Sequence, residues 1–314
     1  LDLCNHMNAK NGALRFGVIV DIQAALEMVA GGGHGGSTTL MGINFDAIDP
    51  VTIVRQAHER HGVNIIELPA DANYVIPDIL ARNMDGLRAL RDELELEYTV
   101  HLPYIYLDLC ALNPHVRAAS IETLVETISQ LETIGGINNY VMHLTADFED
   151  QVSAFDIAPH YKELAWGVLL DKAYQSVEEI VARTSIDPSK LCIENNESIP
   201  FTRMYDIIIN DLGTSICLDV GHMILQGEEQ PDAFVARWQG KVHEIHLHNV
   251  LRKTYQNRIR VHDDHHGIEK GVIDILAFLH GLEVAEFQHP VLLEIQAQRE
   301  ISESLEFLRR NGFL

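Results

Sequence analysis

Positive charge is what this chain has least of. Its 314 residues carry 23 Lys and Arg against 46 Asp and Glu, a formal net charge of −23. Nonspecific binding to a polyanion draws most of its affinity from Lys and Arg that neutralise phosphates, so this balance argues against nucleic acid as a partner. No run of about 18 apolar residues occurs, the length a bilayer-spanning helix needs, so no membrane partner is expected. The four cysteines, Cys4, Cys110, Cys192 and Cys217, show no CxxC spacing. Cys192 and Cys217 sit in apolar strand-like runs and read as buried thiols, which suits a reducing cytoplasm. The chain opens on Leu1, which suggests a trimmed start, and no signal-peptide pattern opens it. The run GGGHGGSTT lacks the GK[ST] ending of a phosphate-binding loop and reads as a flexible connection with a solvated His34.

What is present is apolar periodicity and histidine. Hydrophobic residues make up 46% of the chain, enough for a large core. Eight short apolar runs, at 40–44, 64–68, 97–101, 138–143, 190–194, 214–219, 242–248 and 290–295, read as strands. Between them lie helical patterns such as MDGLRALRDELELE and VIDILAFLHGL. Asp49-Pro50 opens one helix as cap and first-turn proline, and Gly62 closes it. Eight alternations of strand and helix predict one (β/α)8 TIM barrel, whose usual length is about 250 residues or more with insertions. Residues 38–314 are expected to form it. Residues 1–37 are either an N-terminal extension or the first barrel element, ALRFGVIVDI, displacing 40–44 as strand one.

Seventeen histidines are many for this length. Nine potential metal ligands fall at or just beyond predicted strand ends: His101, His143, Glu194, Asp219, His222, His246, Asp263, His265 and Glu294. Chemistry in such barrels is assembled at the carboxyl ends of several strands at once. One His in an apolar run is usually a satisfied core residue, but six runs ending in His, Asp or Glu are costly without a partner cation. Asp219 and His222 flank a Gly turn. His246 and His248 share one strand face, so one reads as a ligand and the other as a neighbour of the ligands or a substrate contact. One catalytic zinc needs about three protein ligands, so nine suit two or three ions sharing bridging carboxylates.

The motifs HLPY at His101, MHLT at His143, IEN at Glu194, DVGH, HLHN, DDHHG and LLEI at Glu294 resemble those of the endonuclease IV-like, xylose isomerase-like TIM barrels, over about residues 40 to 300. That resemblance implies a site for up to three zinc ions, with Glu194, Asp219 and Glu294 as the catalytic carboxylates and Glu194 and Asp219 or Glu294 among the candidates for bridging. It also implies phosphodiester cleavage by metal-activated water. The segments HLPYIYLDLCALNPHVRAAS, LCIEN and ICLDVGHMILQG look closest to cobamide-remodelling phosphodiesterases, which act on the nucleotide loop of corrinoids. Tyr104, Asn196, His248 and Arg252 are the expected substrate contacts. The superfamily's sugar isomerases and epimerases are the competing class; they would use Glu194, Asp219, His246 and Glu294 around one Mn or Co ion. An abasic-site DNA endonuclease is a further alternative.

The DNA-cleaving members wedge an Arg-bearing loop after strand one into DNA, whereas FDAIDP here has no basic residue. Duplex DNA binding at physiological salt should therefore be weak, and incision at abasic sites poor. A salt titration of binding with an abasic oligonucleotide checks this; tight, steeply salt-dependent binding with efficient incision would restore the repair-nuclease reading.

Overall fold

The computed structural model describes residues 13–20, 48–76, 78–145, 156–195, 203–226, 230–251 and 264–314. Eight parallel strands close into a barrel in chain order, β1 to β8. They are β1 (Arg15–Ile19), β2 (Ile65–Pro69), β3 (Glu97–His101), β4 (Ile137–Met142), β5 (Leu191–Glu194), β6 (Ser215–Asp219), β7 (Val242–Leu247) and β8 (Pro290–Leu293). Seven of these fall on the expected runs. The first does not. β1 comes from ALRFGVIV, and it closes the barrel by pairing with both β2 and β8. The segment 1–37 thus supplies the first barrel element, and the barrel begins upstream of residue 38. Residues 40–44 lie outside the described residues.

The helices that follow the strands are α1 (Pro50–His61), α2 (Ala72–Val75), α3 (Ile79–Leu94), α4 (Pro114–Leu131), α5 (Pro159–Thr184), α6 (Arg203–Asp211), α7 (Val220–Gln226), α8 (Pro231–Arg237), α9 (Ile275–Val284) and α10 (Gln298–Arg310). Among the described residues, no helix is long and apolar enough to cross a membrane. The start of α1 is built as the sequence requires. Asp49 accepts hydrogen bonds from the backbone N–H groups of Val51 and Thr52, and Gly62 ends the helix at φ 68°. That left-handed conformation is one glycine adopts without strain. α5 opens on Pro159, a residue whose fixed φ suits a first helical turn.

Side chains alternate across each strand. The outward set, including Ile66, Leu68, Tyr98, Val100, Tyr140, Ile245, Leu247 and Leu293, packs under the helices as one large apolar shell. The inward set is different. Its apolar residues include a small separate cluster of Val141, Cys192 and Cys217, with Ile65 and Leu292 on the same face. The rest is polar: Glu67, Thr99, Asn139, Ser215 and Glu244 are all buried. Asn139 of β4 donates to Glu244 of β7 at 2.7 Å, a contact between strands that are not neighbours, which places both inside the barrel. Barrel interiors are usually filled by bulky branched side chains. This polar layer forms the floor beneath the strand ends.

Gly17 on β1 shows how tightly the barrel closes. A Cβ added there would lie 2.5 Å from the carbonyl oxygen of Ile65 and 2.5 Å from Leu292. The first obstacle is backbone and cannot rotate away. Gly17→Ala should cost about 1–3 kcal/mol or more of unfolding free energy, an overpacking penalty that urea titration would read directly.

Candidate metal centre

Eight of the nine expected ligands lie in described residues, and they converge at the carboxyl end of the barrel. Four groups overlap there: His101, His143 and Glu194; Glu194, Asp219, His246 and Glu294; Asp219, His222, His248 and His265; and Glu194, Cys217 and His246. Within each group the ligand atoms lie within 4.8 Å of one another. Burial pushes the Cys217 thiol well up, which keeps its proton on and makes it the poorest donor of the set. Asp263, Asn196 and Arg252 lie outside the described residues.

Glu194, the last residue of β5, is the hub. Its Oε2 is 2.9 Å from His143 Nε2 and 3.3 Å from His101 Nε2, and its Oε1 is 3.4 Å from His246 Nδ1. Glu294 follows β8 and brings Oε2 to 3.0 Å from the same His246 Nδ1 and 3.7 Å from His265 Nε2. Asp219 ends β6, and its Oδ2 lies 3.7 Å from His222 Nδ1. Asn195 locks the ends of β5 and β6 together: its side chain accepts from the Asp219 N–H at 2.8 Å and donates to the Asp219 carbonyl at 2.9 Å. These bonds give Asn195 an orienting role toward Asp219.

A cation fits this donor set. His246 Nδ1 and Glu294 Oε2 face each other at 3.0 Å, yet both are buried without a hydrogen bond. A buried ring nitrogen and a buried carboxylate oxygen that face each other without a hydrogen bond form an arrangement a dication would complete. The other face of His246 is held too, with Nε2 at 3.4 Å from Glu67 Oε2. A carboxylate behind a ligating imidazole fixes its tautomer and raises its basicity. Thr99 donates to that same Glu67 oxygen at 3.3 Å. Burial, with Glu67 nearby, pushes the Glu244 carboxyl well up.

Neither Glu67 nor Glu244 was singled out from sequence. The signal was present in VHEIHLH: Glu244, His246 and His248 stand two apart and share the inward face. Of the expected substrate contacts, Tyr104 stands at the mouth, 45% exposed and stacked on His143 at 4.7 Å. His248 is fully buried and faces Asp219, with no open side toward a substrate. Asp264 brings Oδ1 to 3.0 Å from His265 Nδ1, so the loop supplies a carboxylate one residue beyond the expected Asp263.

Four of these imidazoles, His101, His222, His246 and His265, are more basic than usual. Burial alone would lower His101, but the Glu194 carboxylate outweighs it and lifts the ring to about 9. Burial is likewise outweighed at His265, where Glu294 and Asp264 lift the ring to about 11. Without metal, a His101 pKa raised from 6.5 to about 9 stabilises the fold at low pH, and that contribution is lost as pH rises through about 9. Metal must displace the same protons, so its affinity should rise across the same window. Melting curves with chelator and with zinc check both signs. Chelator-treated protein should lose stability from pH 6.5 to about 9 while the zinc-induced gain grows; a zinc-induced gain that shrinks over that window would contradict the assignment.

Known proteins place this architecture. The xylose isomerase-like TIM barrel family model matches residues 55–311. The uncharacterized protein MJ1311 of Methanocaldococcus jannaschii is 24% identical over 241 residues, covering 73% of this chain and 74% of its own. A D-tagatose 3-epimerase-like protein superposes with a TM-score of 0.62 at 19% identity, covering 95% of this chain and 96% of its own. SacUVDE superposes with a TM-score of 0.60 at 12% identity, covering 96% of this chain and 100% of its own. At such identities the structural matches speak to fold, while the family model spans most of the chain, which belongs to the xylose isomerase-like TIM-barrel family.

Proposed function

We propose that this barrel is a multinuclear metal-dependent hydrolase acting on a small-molecule phosphodiester, with zinc as the first candidate metal and Mn or Co as alternatives. The observation that carries the reading is the sharing of carboxylates. Glu194 belongs both to the His101–His143 group and to the His246–Glu294 group, and Asp219 belongs both to the latter and to the His222–His265 group. A chain of three donor sets linked by two carboxylates is more than one ion needs.

In this reading His101, His143 and Glu194 hold one ion, Glu194, Asp219, His246 and Glu294 a second, and Asp219, His222 and His265 a third. Bound dications at such a site supply Lewis-acid charge to a phosphoryl group and lower the pKa of a water nucleophile. The protein's part is to fix the donors. Asn195 pins Asp219 to β5, Glu67 backs His246, and Tyr104 covers His143 with an aromatic wall that limits water on that side. The segment 20–49 between β1 and α1 contains neither Lys nor Arg, which favours a small substrate over a DNA duplex. The nucleotide loop of a cobamide is the first substrate to test.

A second reading has its own support. Glu194, Asp219, His246 and Glu294 form a four-ligand set that alone would hold one ion, as expected for a sugar isomerase or epimerase. Several structural neighbours are named as epimerases, including a 3-keto-D-glucoside 4-epimerase of E. coli. The two readings part at His101 and His143. In a multinuclear hydrolase, His101→Ala and His143→Ala should each lower bound metal and reduce phosphodiester turnover by at least about 10–100-fold. Metal content and turnover would be measured beside Glu194→Ala. If both histidine variants keep full metal and activity while Glu194→Ala loses them, the one-metal reading replaces this one.

A further inference from the structure

Among the imidazoles at the barrel mouth, His248 is turned the opposite way from His101 and His222. His101 directs Nδ1 to the carbonyl oxygen of Leu102 at 3.0 Å, and His222 directs Nδ1 to the carbonyl oxygen of Asn195 at 3.2 Å. A carbonyl only accepts, so each Nδ1 carries the hydrogen and each Nε2 keeps its lone pair for a metal. At His248 the backbone N–H of His265 donates to Nδ1 at 2.9 Å. A neutral imidazole has one in-plane lone pair, and here that pair is occupied. Nε2 therefore bears the hydrogen, and it lies 3.0 Å from each oxygen of the Asp219 carboxylate. The Asn249 carbonyl is also near Nδ1, but at 3.4 Å it is the weaker contact.

We propose that His248 is a positioning residue rather than a metal ligand: as the Nε2–H tautomer it orients the Asp219 carboxylate and ties it to the loop that delivers His265. The surroundings are shaped for this ring. His248 is fully buried and stacks on the His265 ring at 4.3 Å and 12°. Gly221, in the turn after Asp219, leaves the ring its space, since a Cβ there would sit 1.9 Å from His248 Cε1. His265 itself holds φ at 55°, a left-handed conformation that costs a non-glycine residue energy and needs outside support.

The next residue supplies more of that support. Asn249 exchanges backbone hydrogen bonds with His266 at 3.0 and 3.1 Å. Its side chain donates to the carbonyls of Ile268 and Ile273 and accepts from the Ile273 N–H. The end of β7 thus clamps the loop 264–273 through its backbone, while His248 carries the register of that clamp to Asp219. A metal held by Asp219, His222 and His265 then has three described protein ligands, the number that leaves an open position for chemistry. Only the identity of the metal site rests on the hydrolase reading; the direction of the hydrogen bonds does not.

The test uses the full chain with zinc alone as probe. His248→Gln keeps both hydrogen-bonding functions, because the carboxamide N–H can donate to Asp219 and its oxygen can accept a bond, although the His265 N–H must then meet a planar amide. His248→Phe fills the ring's volume and does neither. Zinc per chain and affinity against a competing chelator should stay at wild-type values in His248→Gln. In His248→Phe the affinity of one ion should fall about 10–100-fold. If Gln loses that ion as fully as Phe, His248 is a ligand and the proposal fails; if Phe binds like wild type, the ring only packs and the proposal also fails. Long-range ¹H–¹⁵N spectra of wild-type protein test it without any variant. The proton should be on Nε2 of His248 both before and after zinc is added, and its loss on zinc binding would overturn the assignment. An Nε2–H that persists in a protein without phosphodiesterase activity would retain the positioning role and remove the hydrolase reading.

Discussion

Everything at the barrel mouth is arranged around a single buried carboxylate. Glu194 stands at the end of β5 with His101 and His143 on one oxygen and His246 on the other. Burial would raise its pKa, but His246, His143 and His101 hold it well below the usual carboxylate range. A buried anion at that depth is tolerated only with positive charge at hand. In the metal-free chain the raised basicity of His101 and His246 provides it; a bound dication would provide it in their place.

That balance depends on the polar floor below. The interior carries carboxylates and amides among few aliphatics, where a barrel of this kind usually carries mostly branched aliphatics. The main apolar shell lies outside the strands. Structure and site are therefore divided by strand face: outward residues hold the helices, and inward residues serve the centre. Glu67 shows the division within one strand, with Ile66 and Leu68 on either side of it packed in the outer shell.

Much of this was legible because strand ends advertise themselves. A His, Asp or Glu closing a short apolar run has few structural explanations, and the runs at His101, His143, Glu194, Asp219, His246 and Glu294 all led to the site. Strand one was harder to place. ALRFGVIV precedes a glycine-rich stretch that reads as a linker, so its standing as extension or barrel strand was open until its pairing with β2 and β8 decided it. Glu67 and Glu244 were missed because their importance comes from closure, which brings β2, β4 and β7 together across the barrel; a strand pattern carries no information about what lies opposite. His248 was seen as a chemical group, but its role turns on which way a loop N–H points, and no residue type encodes that direction.

The ligands come from six strands, and the last of them, Glu294, follows β8. β8 is also the strand that seals the sheet against β1. Until it is in place His246 lacks its nearest carboxylate, and the middle donor set has no fourth member. A part-folded chain in which β8 is not yet paired therefore lacks that member of the set. An ion bound by the complete set would favour the closed form and so stabilise it, which would make metal loading a check on completion of the barrel.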